Sequence, residues 1–501
     1  MVLKTEDSCG RALGLHQMDP QRIIRPLSHL EAFESSRSLL RQHCGTAVSC
    51  RYAFPKHLGA AAVRDAVRRA VALTVLEHPL MQVGLGEEDS ARPCWIRLDS
   101  IDLSKHIIWV DSAHNHEVVL SQTMNDTLHS WFENLDTQPG WRVHVLVSGD
   151  AGFLDMVLCW EHALFDGIGA KLFHQTLLRN LDNHHDPLAS LVGDTLRFET
   201  VDNFPPPPEK LRKISLTLGF TLSTIWKELL PSFLVPANPA TVKWAPVKSS
   251  PFATESRLII IDGAMLKNIL AACKNHETTL TGFINVLPAL SLALQLGEKD
   301  LVLLLSSMAI DLRRFMPSKP AQYPWHEPSK TMDNEVGLVD DGFDAALLAR
   351  IRGTAGGLEG TERMAKLEET VWTLAARTRQ RIQAKIDSDL KNDVIGLMHY
   401  VKDWRAHMRG TLSRPRTRSW CLSNLGTFDS HPIGGWAIQN ARFQMSGQVS
   451  GAAFAISAIS VKGGDLCVEV GWQEGIMDKA IGDTVAQDME AWLRYVGSRS
   501  L

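Results

Sequence analysis

The chain has 501 residues, 45% of them hydrophobic and 22% charged. This is ordinary globular composition, at a length that predicts two or more domains with apolar interiors. A formal charge of −4 and an isoelectric point near 6.6 supply no cationic field, so nucleic acid is excluded as the expected partner. Eight scattered cysteines, with no CxxC pair and no His–Cys cluster at zinc spacing, exclude a disulfide framework and point to a reducing compartment.

The opening MVLKTEDSCGRALG carries acids and lacks an apolar core, unlike a secretory signal. No run of about 20 apolar residues could span a bilayer. A soluble, cytoplasmic chain is the expectation.

The first strong element is a helix over Ala60 to Leu76, where Val63, Val67, Ala70 and Val71 recur at helical spacing. Trp141 to Val147 alternates as a half-buried strand does. Gly152 opens a second apolar run that ends at Trp160, and after a turn Ala170 to Leu181 reads as a helix. FPPPPE (Phe204 to Glu209) suits neither a helix interior nor a central strand, because proline lacks the amide donor. Leu211 to Val235 is amphipathic. It reads as a linker helix laid across two domains, or alternatively as a helix making peripheral membrane contact.

The second half opens with a strand at Arg257 to Asp262, then helices at Ala264 to His276 and Thr281 to Leu296. Leu301 to Ile310 is a strand, Thr361 to His407 is largely helical, and strands return from Trp420. Among these, Ala452 to Ser460 and Leu466 to Val470 flank a turn at Gly463-Gly464-Asp465. Residues 1–200, a proline-rich linker and crossover at 201–255, and residues 256–501 are the predicted units. The two large units are mixed α/β in a similar order.

The sharpest chemical feature is Trp160-Glu161-His162-Ala163-Leu164-Phe165-Asp166-Gly167. A histidine directly follows an apolar strand, and Asp-Gly precedes a helix. Histidine accepts and returns a proton near neutrality, and Gly167 permits unusual turn dihedrals. Alone, HxxxDG equally describes a structural histidine followed by a helix N-cap at Asp166.

Several spread segments carry a resemblance that bears on this choice. They are RPLSHLEAFESSR (Arg25 to Arg37), QPGWRVHV (Gln138 to Val145), the helix pair around Cys273-Lys274-Asn275-His276, IDLRRFMP (Ile310 to Pro317) and LSNLGTF (Leu422 to Phe428). In this order, with HxxxDG, the chain resembles the chloramphenicol-acetyltransferase-like superfamily of CoA-dependent acyltransferases. It is most similar to the fungal alcohol acetyltransferase branch. Glu161 stands where many relatives carry a second histidine, and the DFGWG motif of plant-type members is absent.

The resemblance implies an α/β fold of two such domains, with mixed sheets flanked by helices and an active-site tunnel between them. It implies direct acyl transfer, an acetyl group above all, from acyl-CoA to the hydroxyl of a small alcohol or secondary metabolite. His162 would be the general base. Asp166 would pair with Arg313, or alternatively Arg314, and hold the turn. Ser423 and Asn424 would face the oxyanion, although Ser, Asn and Gly also compose ordinary turns.

Arg416 and Arg418, in a basic stretch that also holds Lys402, Arg405, Arg409 and Arg414, are candidates for the CoA phosphates, or for a solvated face. No metal or permanently bound cofactor is implied, and His184-His185-Asp186 reads as an exposed loop. A monomer is expected. Two further readings stay open: a condensation-like enzyme taking its acyl group from a carrier protein, and a non-transferase cyclase or ligand binder of the same fold.

Overall fold

A computed structural model describes residues 20–112, 114–148, 152–183, 189–199, 203–229, 238–250, 252–297, 302–429 and 431–499. The His184–Asp186 stretch therefore lies outside the described residues. Eleven principal strands follow in chain order: β1 (Thr46–Ala53), β2 (Ile107–Asp111), β3 (Trp141–Val147), β4 (Phe153–Trp160), β5 (Thr254–Ile261), β6 (Leu303–Asp311), β7 (Val336–Asp344), β8 (Trp420–Phe428), β9 (Ala437–Met445), β10 (Phe454–Val461) and β11 (Leu466–Gln473).

They form two mixed sheets, one of five strands in the order β9-β1-β4-β3-β2 and one of six in the order β5-β11-β10-β8-β6-β7. In the first, only β2 and β3 run parallel. In the second, β8 runs parallel to both of its neighbours.

The predicted division into sequential halves needs one correction. Strand β9 belongs by sequence to the C-terminal unit, yet it pairs along the whole of β1, from Ala437 opposite Ala53 to Met445 opposite Thr46. An unpaired β1 would expose a row of backbone donors and acceptors, and β9 covers that edge. Each sheet backs its own core. Val48, Trp141, Trp160, Phe165 and Phe173 are buried in the first, joined by Leu425, Phe428 and Phe443 from the other half. Ile259, Phe283, Trp420, Phe454 and Trp472 fill the second.

The helix Leu280–Gln295 is buried along nearly all its length. No single described helix is long and apolar enough to cross a membrane.

The predicted crossover helix is shorter than expected. Helix occupies Pro208–Leu211 and then Leu218–Leu229, with an extended break between them; residues 230–237 lie outside the described residues. At the break the backbone bonds elsewhere: Asn392 N donates to the Ser215 carbonyl at 2.9 Å, and Thr217 N donates to Asn392 Oδ1 at 2.8 Å. Likewise the helical stretch predicted to run to His407 is a helix at Gly360–Asp387, a 3-10 turn at Val394–Tyr400 and a short helix at Trp404–Thr411. Asp389, Leu390 and Asn392 take left-handed conformations that end the long helix.

Candidate active site

Strand β4 is buried from Leu154 to Trp160, and its end fixes where the next residues start. The Trp160 indole closes the following turn. Its Nε1 donates to the Phe165 carbonyl at 2.7 Å, and its ring stacks on Phe165 with centroids 5.1 Å apart. His162 sits inside this closed turn, half-buried and therefore not sealed in the interior.

Asp166 fills both roles that the sequence left open. As N-cap of the helix Gly167–Leu181 its Oδ1 accepts from Gly169 N at 2.8 Å. The same carboxylate receives a bidentate fork from Arg313, at 2.8 Å and 3.1 Å. Arg313 is only 5% exposed. It follows β6 in a 3-10 turn, and it also meets Asp333 at 2.7 Å and Asp311 at 3.2 Å. Arg314 is exposed. The Asp166–Arg313 pair thus ties a turn of the first half to a turn of the second.

Gly167 serves a different purpose from the one its type suggested. Its φ is not positive. A Cβ there would lie 2.5 Å from Leu425 Cδ2, so the glycine admits the late SNLG segment against the helix start. Lys171, one turn on, donates to the Leu425 and Thr427 carbonyls at 3.3 Å and 2.6 Å.

In that segment Asn424 is committed locally. Its Oδ1 accepts from Gly426 N at 2.9 Å and its Nδ2 donates to Thr281 Oγ1 at 3.1 Å, beside a break in the β8 register and a left-handed Gly426. Ser423 is half-buried in β8 opposite Ser457.

The segment Asp333-Asn334-Glu335, which no sequence signal singled out, braces the turn from behind. Asn334 Nδ2 donates to the His162 carbonyl at 2.7 Å and lies 3.5 Å from its Nδ1. Asp166 N donates to the Asp333 carbonyl at 3.1 Å, and Glu335 N donates to Asp166 Oδ2 at 3.0 Å. His43 was also missed. It is buried, with its ring edge-on to His162 at 5.8 Å. Burial first, then Arg37 and His162, push its pKa well below the usual histidine range. His43 is neutral at physiological pH, a bulky partner that adds no charge beside His162.

Glu161 is buried too, and burial, reinforced by Glu88, raises its carboxyl to about 8. It accepts from Ala163 N at 2.6 Å, two residues on.

The candidate phosphate-binding arginines part company. Arg416 is 1% exposed, and its guanidinium donates to five main-chain carbonyls, those of Ala245, Gln448, Val449, Gly451 and Ala452. Buried and turned onto these carbonyls, Arg416 does not present its guanidinium to a CoA phosphate, contrary to the expectation: this arginine clamps loops. Arg418 is 39% exposed and shares Asp340 and Ser307. Arg405 is buried on the Glu88 carbonyl and Ser35. The basic run therefore presents no common face.

The profile of the alcohol acetyltransferase family matches residues 109–325, a span that includes the His162 turn and Arg313. A probable alcohol acetyltransferase, FCK4 of Fusarium pseudograminearum, is 28% identical over 448 residues, covering 86% of each chain. In three dimensions, the trichothecene 15-O-acetyltransferase TRI3 of Fusarium sporotrichioides superposes with a TM-score of 0.68 at 14% identity, over 93% of this chain and 95% of that one. A condensation domain from the monacolin K polyketide synthase MokA reaches 0.57 at 9% identity, over 95% and 97%.

The chain shares its two-sheet fold along nearly its whole length with chloramphenicol-acetyltransferase-like acyltransferases and condensation domains, and the alcohol acetyltransferase family model spans the His162 turn. The curated relatives named as probable alcohol acetyltransferases, to which it is similar, are fungal.

Proposed function

We propose that the chain moves an acyl group, acetyl in the first instance, from a CoA thioester to the hydroxyl of a small alcohol in a ternary complex. His162 accepts the hydroxyl proton as the oxygen attacks the thioester carbonyl. The tetrahedral intermediate then expels the thiolate, which takes the proton back from His162, so the products are an ester and free CoA. One group serves as base and then acid, and co-positioning of the two substrates supplies much of the rate.

The observation that carries this reading is the way His162 is held. Asn334 fixes its carbonyl, and the Asp166–Arg313 pair fixes the turn four residues on, each from the opposite half of the chain. A base that must meet two substrates needs this kind of fixed backbone, and the two substrates are expected to approach it along a passage between the halves. Ser423 remains the candidate oxyanion donor. Asn424 is the weaker one, since its amide is used on Thr281. Arg418 is the remaining candidate for a CoA phosphate, which would compete with Asp340. The reading also has the protein act as a monomer in the cytoplasm; for the compartment alone, the seven described cysteines are all free thiols.

Likeness to condensation domains favours a second reading, in which the acyl donor is bound to a carrier protein. Incubation with a panel of acyl-CoAs and alcohols, followed by thiol release, separates the two. Turnover of free acetyl-CoA is expected, with His162→Ala slower by about 10²–10⁴-fold. A His162→Ala protein that matches the wild type would remove the mechanism, and turnover only with carrier-bound donors would select the second reading.

A further inference from the structure

Behind the His162 turn the protein buries more acid than base. Buried Asp166, Asp333 and Glu335, with half-buried Asp311, surround a single guanidinium, that of Arg313. Nearby Glu31 has its own partner in Arg25. Of the four, Asp166 is fully used by Arg313, Gly169 N and Glu335 N. Asp333 gives only Oδ1 to Arg313; its Oδ2 meets no donor group among the described residues. Glu335 is 0% exposed, and its carboxylate oxygens meet no donor group among the described residues; its one polar neighbour within hydrogen-bond reach is the Asp333 carboxyl, which it can pair with only by sharing a proton.

A third side chain points into the same space. His326 is 1% exposed, and both of its ring nitrogens are without a hydrogen-bond partner among the described residues. A buried imidazole with neither nitrogen satisfied is costly unless something else occupies one of them. One atom each from His326, Asp333 and Glu335 lie within 4.8 Å of one another. Two ligands on opposite sides of one ion, at bonds of about 2.1 Å, lie roughly 4 Å apart, so small side-chain rotations close the gap.

The backbones that carry these groups are fixed. His326 N donates to the Tyr323 carbonyl at 3.0 Å, Lys319 N to the His326 carbonyl at 2.7 Å, and Leu312 N to the Glu335 carbonyl at 2.8 Å. His326 also lines a cavity of about 640 Å³ shared with His78, Glu199, Lys330 and Met332, so the cluster meets this cavity through its imidazole.

We propose that His326, Asp333 and Glu335 bind one divalent transition-metal ion, of the Zn²⁺ or Mn²⁺ kind, as a structural site behind the catalytic turn. One imidazole with two carboxylates is a borderline donor set that suits these ions. The added charge offsets the excess of carboxylates over Arg313. The site would stiffen the His162 turn, because Asn334 lies between two of the ligands and holds the His162 carbonyl. The competing occupant is the proton: burial first, then the neighbouring acids, push Asp333 up to about 7 and Glu335 well above the usual range.

Full-length protein stripped with a chelator and titrated calorimetrically with ZnCl₂ and, in parallel, MnCl₂ tests the site independently of activity. One equivalent is expected to bind, raising the melting temperature by about 2 °C or more at a hundredfold excess over Kd. Glu335→Gln and His326→Gln should each weaken binding at least about tenfold, whereas His184→Ala with His185→Ala should leave it unchanged. Absence of binding and of a melting shift with both ions in the wild type would overturn the proposal, leaving the cluster to protons. Binding that persists in both ligand variants, or that vanishes with His184 and His185, would overturn it equally.

Discussion

Arg313 and Arg416 are both buried, and both come from the second half of the chain, yet opposite means hold them. Arg313 is met by carboxylates, from Asp166, Asp311 and Asp333; burial is the largest single influence and lowers its pKa, but the carboxylates together outweigh it and raise the pKa well above the ordinary value. Arg416 is met only by neutral carbonyls, and burial alone lowers it to about 10. It remains a cation at neutral pH, but one that organises loops around itself. The same side chain thus serves as a charge-matched joint between halves in one place and as a neutral clamp in the other. The consequences of removing each should differ in kind.

The largest effect is expected at the charged joint. Arg313→Met leaves Asp166 and Asp333 buried without their cation, and breaking such a pair typically costs about 3–5 kcal/mol. Soluble yield should fall steeply, and any folded fraction should lose acyl transfer, because the turn that presents His162 loses its brace. Arg313→Lys restores the charge without the bidentate fork and should recover stability only in part. Urea denaturation and thiol-release assays on the three proteins check this. A Met variant as stable and active as the wild type would mean that the joint does not hold the turn.

At the neutral clamp the expected loss is of stability alone. Arg416→Met strands carbonyls in the 245 and 448–452 loops, at roughly 1–3 kcal/mol for each that water cannot reach. A total of about 2–4 kcal/mol is expected, with kcat and the KM for acetyl-CoA within about threefold of wild type when assayed cold. If instead the thioester KM rises sharply while stability holds, Arg416 binds phosphate after all.

How far each joint could be read from sequence follows from where its partners lie. The strand, turn and helix around His162 are local: alternation in Trp141–Val147, an apolar run to Trp160 and Asp-Gly before a helix are all visible within thirty residues. Arg313 is 147 positions from Asp166, and only resemblance to a family suggested the pair. Arg416 was misjudged because a run of arginines reads the same whether its side chains reach water or curl into a shell of carbonyls. Distant loops decide that.

Asp333-Asn334-Glu335 reads as a polar loop, and nothing in its spacing from His326 announces a shared cavity. The overlong crossover helix failed for a similar reason. Its amphipathic pattern continues through Ser215–Thr217, but contacts with Asn392 outbid the local preference.

The smallest effect on catalysis is expected at Glu161, and it sharpens the contrast by supplying a buried acid kept neutral by its proton. Its folded pKa of about 8 lies above the ordinary 4.5, chiefly through burial. Below about pH 4.5 both folded and unfolded chains hold the proton, and the stabilisation is complete. As pH rises towards 8 the unfolded chain releases the proton while the folded one keeps it, so this contribution falls and is lost above 8.

Glu161→Gln keeps an acceptor for Ala163 N and cannot titrate. Its stability relative to wild type should therefore improve between pH 5 and pH 8, by on the order of 1 kcal/mol per unit, with kcat changed less than about twofold at pH 7. Other buried acids, such as Glu469, raised by burial to about 7, titrate alike in both proteins and cancel in the difference. Parallel chemical denaturation across that range measures it. Identical pH profiles for the two proteins would show that Glu161 is ionised in the fold, and that the side of the turn facing it carries charge as the Arg313 side does.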